Sequence, residues 1–217
     1  MNIGTWAPGD GHEAFSVTRP VTREAWIGPD GSGRLVQTKG AASFPTPADE
    51  AAWKAAGSPD LRGGTTSDET FAAGGLSFVD LSGLPTDRDA LLQVIEDRTI
   101  VIGPPGDAET FTLIGDLLRE TYASPALRAA LYEVAASLPG VQLVGETRDA
   151  SGRQGIAVAY EHNGTRNELI IDPETAAMLG ESSVVTEAGV MGLPVGTVVS
   201  SAVYLASGVV DSTDETL

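Results

Sequence analysis

The chain of 217 residues contains no cysteine. Disulfide scaffolds, thiol nucleophiles, iron–sulfur clusters and cysteine-based zinc sites are therefore excluded together. Histidine is nearly as scarce, with His12 and His162 as its whole complement. No HExxH pair or other close histidine spacing occurs, so a histidine-held metal has nothing to be built on. Positive charge is short as well: 13 basic residues stand against 30 acidic ones, a net charge of −17. A surface of that sign argues against nucleic acid or an anionic membrane as the main partner. Only Lys39 and Lys54 are lysines, and the other basic residues are arginines. With abundant alanine, glycine and proline, this reads as a GC-rich genome and carries no information about activity.

Catalytic motifs are missing too. No GKS or GKT follows a glycine-rich turn, no G-x-S-x-G elbow occurs, and no D-x-D-x-D-G calcium loop is present. The glycines Gly28, Gly31 and Gly33 precede a β-rich run and not a helix. A phosphate cradle needs a helix N-terminus behind it, so these glycines read as a hairpin turn. His12 lies in a Gly/Asp-rich stretch and His162 in the turn Glu161–Gly164, where a solvated side chain is the expected state. Asp87 with Asp89, Asp107 with Glu109, and Asp116 with Glu120 fall on or beside helices, where carboxylates cap and offset the dipole. The expectation is no catalytic residue, no metal and no cofactor.

At this length about 70% of the unfolded surface can be buried, enough for one domain over residues 1–217 without a covalent staple. Met1–Gly11 has neither the charged head nor the apolar stretch of a signal peptide. Ala188–Val210 runs 23 residues without a charge, long enough to cross a bilayer. Pro194, the glycines and the many β-branched residues in it favour a long buried strand instead.

Residues 21–38 read as a hairpin around GPDGSG, and 39–75 as a long loop excursion with a short helical turn near Ala48–Ala56. The middle third is helical. Thr86 and Asp89 resemble a capping arrangement opening a helix over 87–98. Phe111, Ile114, Leu118 and Tyr122 mark a second over 107–122. Ser124-Pro125 is a start signal for a third, which stops at Pro139-Gly140. From Val141 the period becomes two, in short segments separated by DASG, HNG and DPET, which predicts an antiparallel meander of five strands. The fold class is thus α+β: a curved antiparallel sheet of about seven strands, hairpin plus meander, covered on one face by three central helices. An acidic tail occupies 211–217.

The aromatics are the candidate ligand-binding residues. Trp26 shares its strand face with Thr22 and Glu24, and Tyr160 and Tyr204 lie in meander strands. Trp26, Tyr160 and Tyr204 either belong to an ordinary core or line an apolar cavity between sheet and helices.

Several stretches together resemble a known family. They are REAWIGPDGSGR (Arg23–Arg34), LSGLPTDRDALL (Leu81–Leu92), the helical run Asp107–Gly145, ELIIDPET (Glu168–Thr175) with LGE (Leu179–Glu181), and the valine-rich segment ending Val209-Val210-Asp211. In this order over residues 21–211 the chain resembles a family of uncharacterised actinobacterial membrane-anchored proteins, often encoded beside a sigma factor of the extracytoplasmic-function type. The resemblance implies an extracytoplasmic, non-enzymatic sensing or binding domain with a protein or lipid as partner. It also implies a membrane tether that this chain does not carry, and a first strand upstream of the loop-like start MNIGTWAPGDGHE. The element order is similar to lipoprotein-carrier folds, which implies the alternative of a lipid or lipoprotein carrier. An unrecognised hydrolase is the third reading.

Overall fold

The structure, a computed structural model, describes residues 2–6, 13–61, 63–75, 81, 83–102, 106–120 and 123–217, with 2–6, 98–102, 120 and 191 described through their backbone. The chain divides into two compact units, Met1–Ser77 and Phe78–Leu217. The class is α+β.

In the N-terminal unit β1 (Asn2–Trp6) pairs antiparallel with β2 (Phe15–Arg19), so the expected loop-like start contains one strand and a second follows it. The hairpin is present as β3 (Val21–Ile27) and β4 (Gly33–Lys39). Its turn is closed by Gly31 N–H donating to Gly28 O at 3.0 Å and by Ser32 N–H donating to Asp30 Oδ1 at 3.0 Å. Gly31 has φ of +75°, a conformation glycine adopts without steric cost. The hairpin does not join the meander. It forms a three-stranded sheet with β5 (Thr65–Phe71), in the order β3-β4-β5. β5 lies inside the stretch expected to be a loop. Its sequence, TTSDETF, is exposed at all but the last residue, so no apolar alternation marks it as a strand.

The same stretch holds α1 (Pro47–Ala55), close to the expected helical turn. Thr46 and Asp49 form a capping box: Asp49 N–H donates to Thr46 Oγ1 at 3.2 Å and Thr46 N–H to Asp49 Oδ2 at 3.1 Å. The second oxygen of Asp49 accepts the Ser16 N–H at 2.7 Å, which ties the helix to β2. The local core is aromatic, with Phe44 edge-on to Phe15 at 6.4 Å and tilted against Trp53 at 5.1 Å. Asp49→Ala removes the cap and the β2 tie together and is expected to destabilise this unit by about 1–3 kcal/mol in denaturant titration. Asp49→Asn, which can still cap, should lose less.

In the C-terminal unit α2 (Arg88–Ile102), α3 (Asp107–Glu120) and α4 (Pro125–Ser137) precede β6 (Val141–Arg148), β7 (Gln154–His162), β8 (Thr165–Ile171), β9 (Met178–Val185) and β10 (Val198–Val203). The cap of α2 is one residue later than expected: Asp87, not Thr86, accepts the Ala90 N–H, at 3.0 Å. At α4, Ser124 Oγ accepts the Leu127 N–H at 3.2 Å with Pro125 at the first helical position. The five strands pair in sequence order, β10-β9-β8-β7-β6, as the five-strand meander expected from the period. Register shifts interrupt the ladder between Leu143 and Gly145, between Ile170 and Ile171, and between Val198 and Ser200. Such bulges increase local twist and bend a sheet.

The final strand is shorter than its composition suggests. It stops at Val203, a short 3₁₀ turn occupies Val190–Gly192, and Leu205 and Val209 are each 78% exposed. β9 begins at Met178, where Leu179 accepts the Tyr204 N–H at 2.9 Å, so β9 offers no further backbone beyond that point. Among the described residues no helix is long and apolar enough to cross a membrane.

The helices cover one face of the meander. Leu91, Ile95, Ile114, Leu117, Leu131 and Val134 are all but completely buried. With Phe111, Leu127 and Leu138 they pack against Leu169 and Met178 and the half-buried Val158 and Tyr160 of the sheet. Each such aliphatic side chain contributes about 1.5–3 kcal/mol of transfer free energy. On the opposite face Ala157, Ile170 and Leu179 form a small separate cluster.

Candidate functional site

Tyr160 and Tyr204 lie in the C-terminal unit and Trp26 in the N-terminal one. The register separates the two tyrosines as well. Tyr160 faces Asn167 near one end of β7, and Tyr204 follows the opposite end of β10, three strands away.

Tyr160 sits on the helix side of the sheet, where its ring stacks on Phe111 with centroids 5.9 Å apart and planes at 29°. Gly140, in the turn after α4, passes directly against the ring: a Cβ there would lie 3.3 Å from Cε2 of Tyr160. Tyr204 packs against the same helical core, beside a half-buried ionic cluster. Arg119 of α3 donates from Nη1 to both carboxylate oxygens of Glu181 on β9, at 3.0 and 3.2 Å, and from Nη2 to Asp116. Burial, reinforced by the Glu181 carboxylate, raises the Tyr204 hydroxyl well above its ordinary range. Burial opposes the charge on Arg119, but Glu181 and Asp116 outweigh it and hold the guanidinium protonated. The Tyr204 hydroxyl is enclosed next to this cluster without the alignment of a formed hydrogen bond. The arrangement locks α3 onto the sheet.

Trp26 is where the strand pattern puts it, on one face with Thr22 and Glu24. Across the sheet it meets Arg34, whose guanidinium lies 5.5 Å from the ring centroid. Arg34 in turn makes a paired contact with Asp68 of β5, Nε to Oδ1 at 2.8 Å and Nη2 to Oδ2 at 2.7 Å. That hydrogen bonding draws the Asp68 carboxyl below its usual range. Ring, cation and carboxylate link β3, β4 and β5, directly from Trp26 to Arg34 and diagonally on to Asp68, which is opposite Val36.

Three of the carboxylates expected to be structural have structural partners. Asp87 caps α2, Asp89 contacts Arg88 at 2.6 Å, and Asp116 contacts Arg119. His162 is exposed at the end of β7, its ring 6.4 Å from that of Tyr160. His12 lies outside the described residues. No group of three or more metal-ligating side chains converges among the described residues.

One ionic pair has no counterpart in the motifs read from the sequence. Asp149, in the turn between β6 and β7, has a fully enclosed side chain. Its Oδ1 accepts Ser151 N–H at 2.9 Å, Ser151 Oγ–H at 2.7 Å and Arg153 N–H at 2.9 Å, and its Oδ2 accepts Arg153 Nε–H at 2.6 Å. Arg153 then reaches across the sheet end, donating from Nη2 to Leu179 O at 2.7 Å and Tyr204 O at 2.8 Å. Enclosure alone would raise this carboxyl. The hydrogen bonds from Ser151 and Arg153 prevail and hold it at about 2.

Two of the open pockets among the described residues are of note. One, of about 390 Å³, lies in the N-terminal unit beside Trp53 and residues 58–61. The other, of about 450 Å³, lies at the end of the meander, lined by Glu146, Gln154, Ile156, Asp172 and Glu174. Neither contains Trp26, Tyr160 or Tyr204.

No family model matches the chain. No curated protein and no solved structure matches it either.

Proposed function

We propose that the chain is a non-enzymatic sensing or binding domain that works by contact with a partner protein. Its setting is extracytoplasmic, tethered to an actinobacterial membrane and linked to sigma-factor control, on the likeness of residues 21–211 to the family named above. The observation that carries the contact reading is the packing of the two tyrosines. Tyr160 is stacked on Phe111, and Tyr204 is wedged against the Arg119–Glu181 cluster. A carrier of acyl chains needs open apolar volume at that boundary between helices and sheet, and a contact sensor needs a filled core beneath an exposed surface.

The test is native mass spectrometry of the chain purified gently from an actinobacterial host. The contact reading expects the bare polypeptide mass. A reproducible adduct of lipid mass, lost on organic extraction, would replace it with the carrier reading.

A further inference from the structure

Charge is divided unequally between the two units. The N-terminal unit carries six basic and nine acidic residues, a net −3, and the C-terminal unit seven and twenty-one, a net −14. The meander of this acidic unit ends in an edge strand, β6, that among the described residues pairs on one side only, with β7. Leu143 and Val144 on that edge are 73% and 46% exposed.

Register places two chemistries side by side there. Leu143 is opposite Val158 and Glu146 opposite Ile156, so both project from the same face, one β7 dipeptide apart. Exposed Leu143 and half-buried Val158 make an apolar pad. Glu146 opens the pocket of about 450 Å³ whose other acidic walls are Asp172 and Glu174. Among the described residues neither Glu146 nor Glu174 is in an ion pair. Asp172 accepts the Glu174 and Thr175 N–H groups, and these bonds keep its carboxyl below the usual range and therefore charged.

We propose that the β6 edge and the Glu146–Asp172–Glu174 pocket together receive an extended segment of a partner protein that presents an apolar side chain and a lysine or arginine two residues apart. The segment would add to the sheet at β6, its unpaired backbone groups meeting those of the edge. Side chains two apart on a strand share a face about 7 Å apart, which matches the step from the Leu143 pad to the Glu146 pocket. Charge selects this occupant over a second copy of the chain, because two units of net −14 repel. The bulge at Val144 also breaks the flat run that edge-to-edge stacking requires, leaving room for a short segment.

The inference rests on the partner-contact reading. Its test is an NMR titration of the isotopically labelled full chain with two octapeptides, one alternating threonine with valine and lysine, the other with glutamate for lysine. The lysine peptide should shift resonances of residues 141–148 and 172–174, and the glutamate peptide should not. Glu146→Lys and Leu143→Asp, both at exposed side chains, should each weaken binding by about tenfold or more with the thermal midpoint unchanged. Equal response to both peptides, or binding indifferent to these variants, would overturn the site. So would no shift at peptide concentrations of about 1 mM, a limit corresponding to roughly 4 kcal/mol of binding free energy. Shifts confined to the β3-β4-β5 sheet would overturn this site and leave the contact reading standing. A lipid adduct in the native mass would remove the contact reading itself.

Discussion

Replacing Asp149 by alanine should lower the stability of the C-terminal unit by about 2–4 kcal/mol, because it leaves the Arg153 guanidinium without its counter-charge. Three more bonds go with it, from Ser151 N–H, Ser151 Oγ–H and Arg153 N–H. The loss stays below that of a deeply buried pair because Arg153 is 36% exposed. Asp149→Asn keeps the shape of the turn but not the charge, and should fall between wild type and alanine in denaturant titration. The same carboxylate makes stability depend on pH. Its folded value is about 2, below the ordinary 3.8. The contribution is therefore fully present above pH 4 and is lost as pH falls through that interval toward 2. Solvent screening at the partly exposed Arg153 limits this contribution to about 1–2 kcal/mol. Thermal midpoints of wild type and Asp149→Asn should converge as the pH is lowered from 5 to 2. A gap that stays constant would mean that the charge of Asp149 is not what holds the turn.

The second large effect is expected at Tyr160. Tyr160→Ala removes the stack on Phe111 and uncovers Gly140, and should cost about 2–4 kcal/mol, with Tyr160→Phe close to wild type. A residue lining an open ligand cavity would behave differently: its truncation would barely change unfolding and would alter ligand uptake. Urea titration of the alanine and phenylalanine variants separates the two. A loss well under 1 kcal/mol for Tyr160→Ala would count against the filled-core description and revive the carrier alternative.

What could be read from the sequence was local. Ser124-Pro125 marks the start of α4 because an N-cap oxygen and a preset φ act within one turn of the chain. The meander was legible because Asn163-Gly164 and the other tight turns punctuate a period of two; Asn163 and Gly164 both take positive φ, at 50° and 71°. β5 was not legible, since a strand with two exposed faces has no apolar alternation to display. β1 was not legible either, being five residues beside a glycine-rich stretch. The grouping of the hairpin with β5 and not with the meander depends on pairing partners, which periodicity does not encode. For the candidate site, the strand face of Trp26 followed from alternation, but its partners Arg34 and Asp68 lie on two other strands. Asp149 and Arg153 stand four apart in an evident turn, yet their significance comes from Leu179 and Tyr204 carbonyls 26 and 51 residues from Arg153.

The strictly sequential order of the meander has a kinetic corollary. Every strand from β6 to β10 finds its partner by closing a connection to its immediate neighbour, so assembly of this sheet requires little loop-closure entropy. Such low contact order favours rapid folding of the five strands as a zipper. The bond from Arg153 to Tyr204 closes a far longer span and can form only after β10 has docked. It then acts as a latch on the finished sheet, slowing the escape of the C-terminal strand far more than it speeds its arrival.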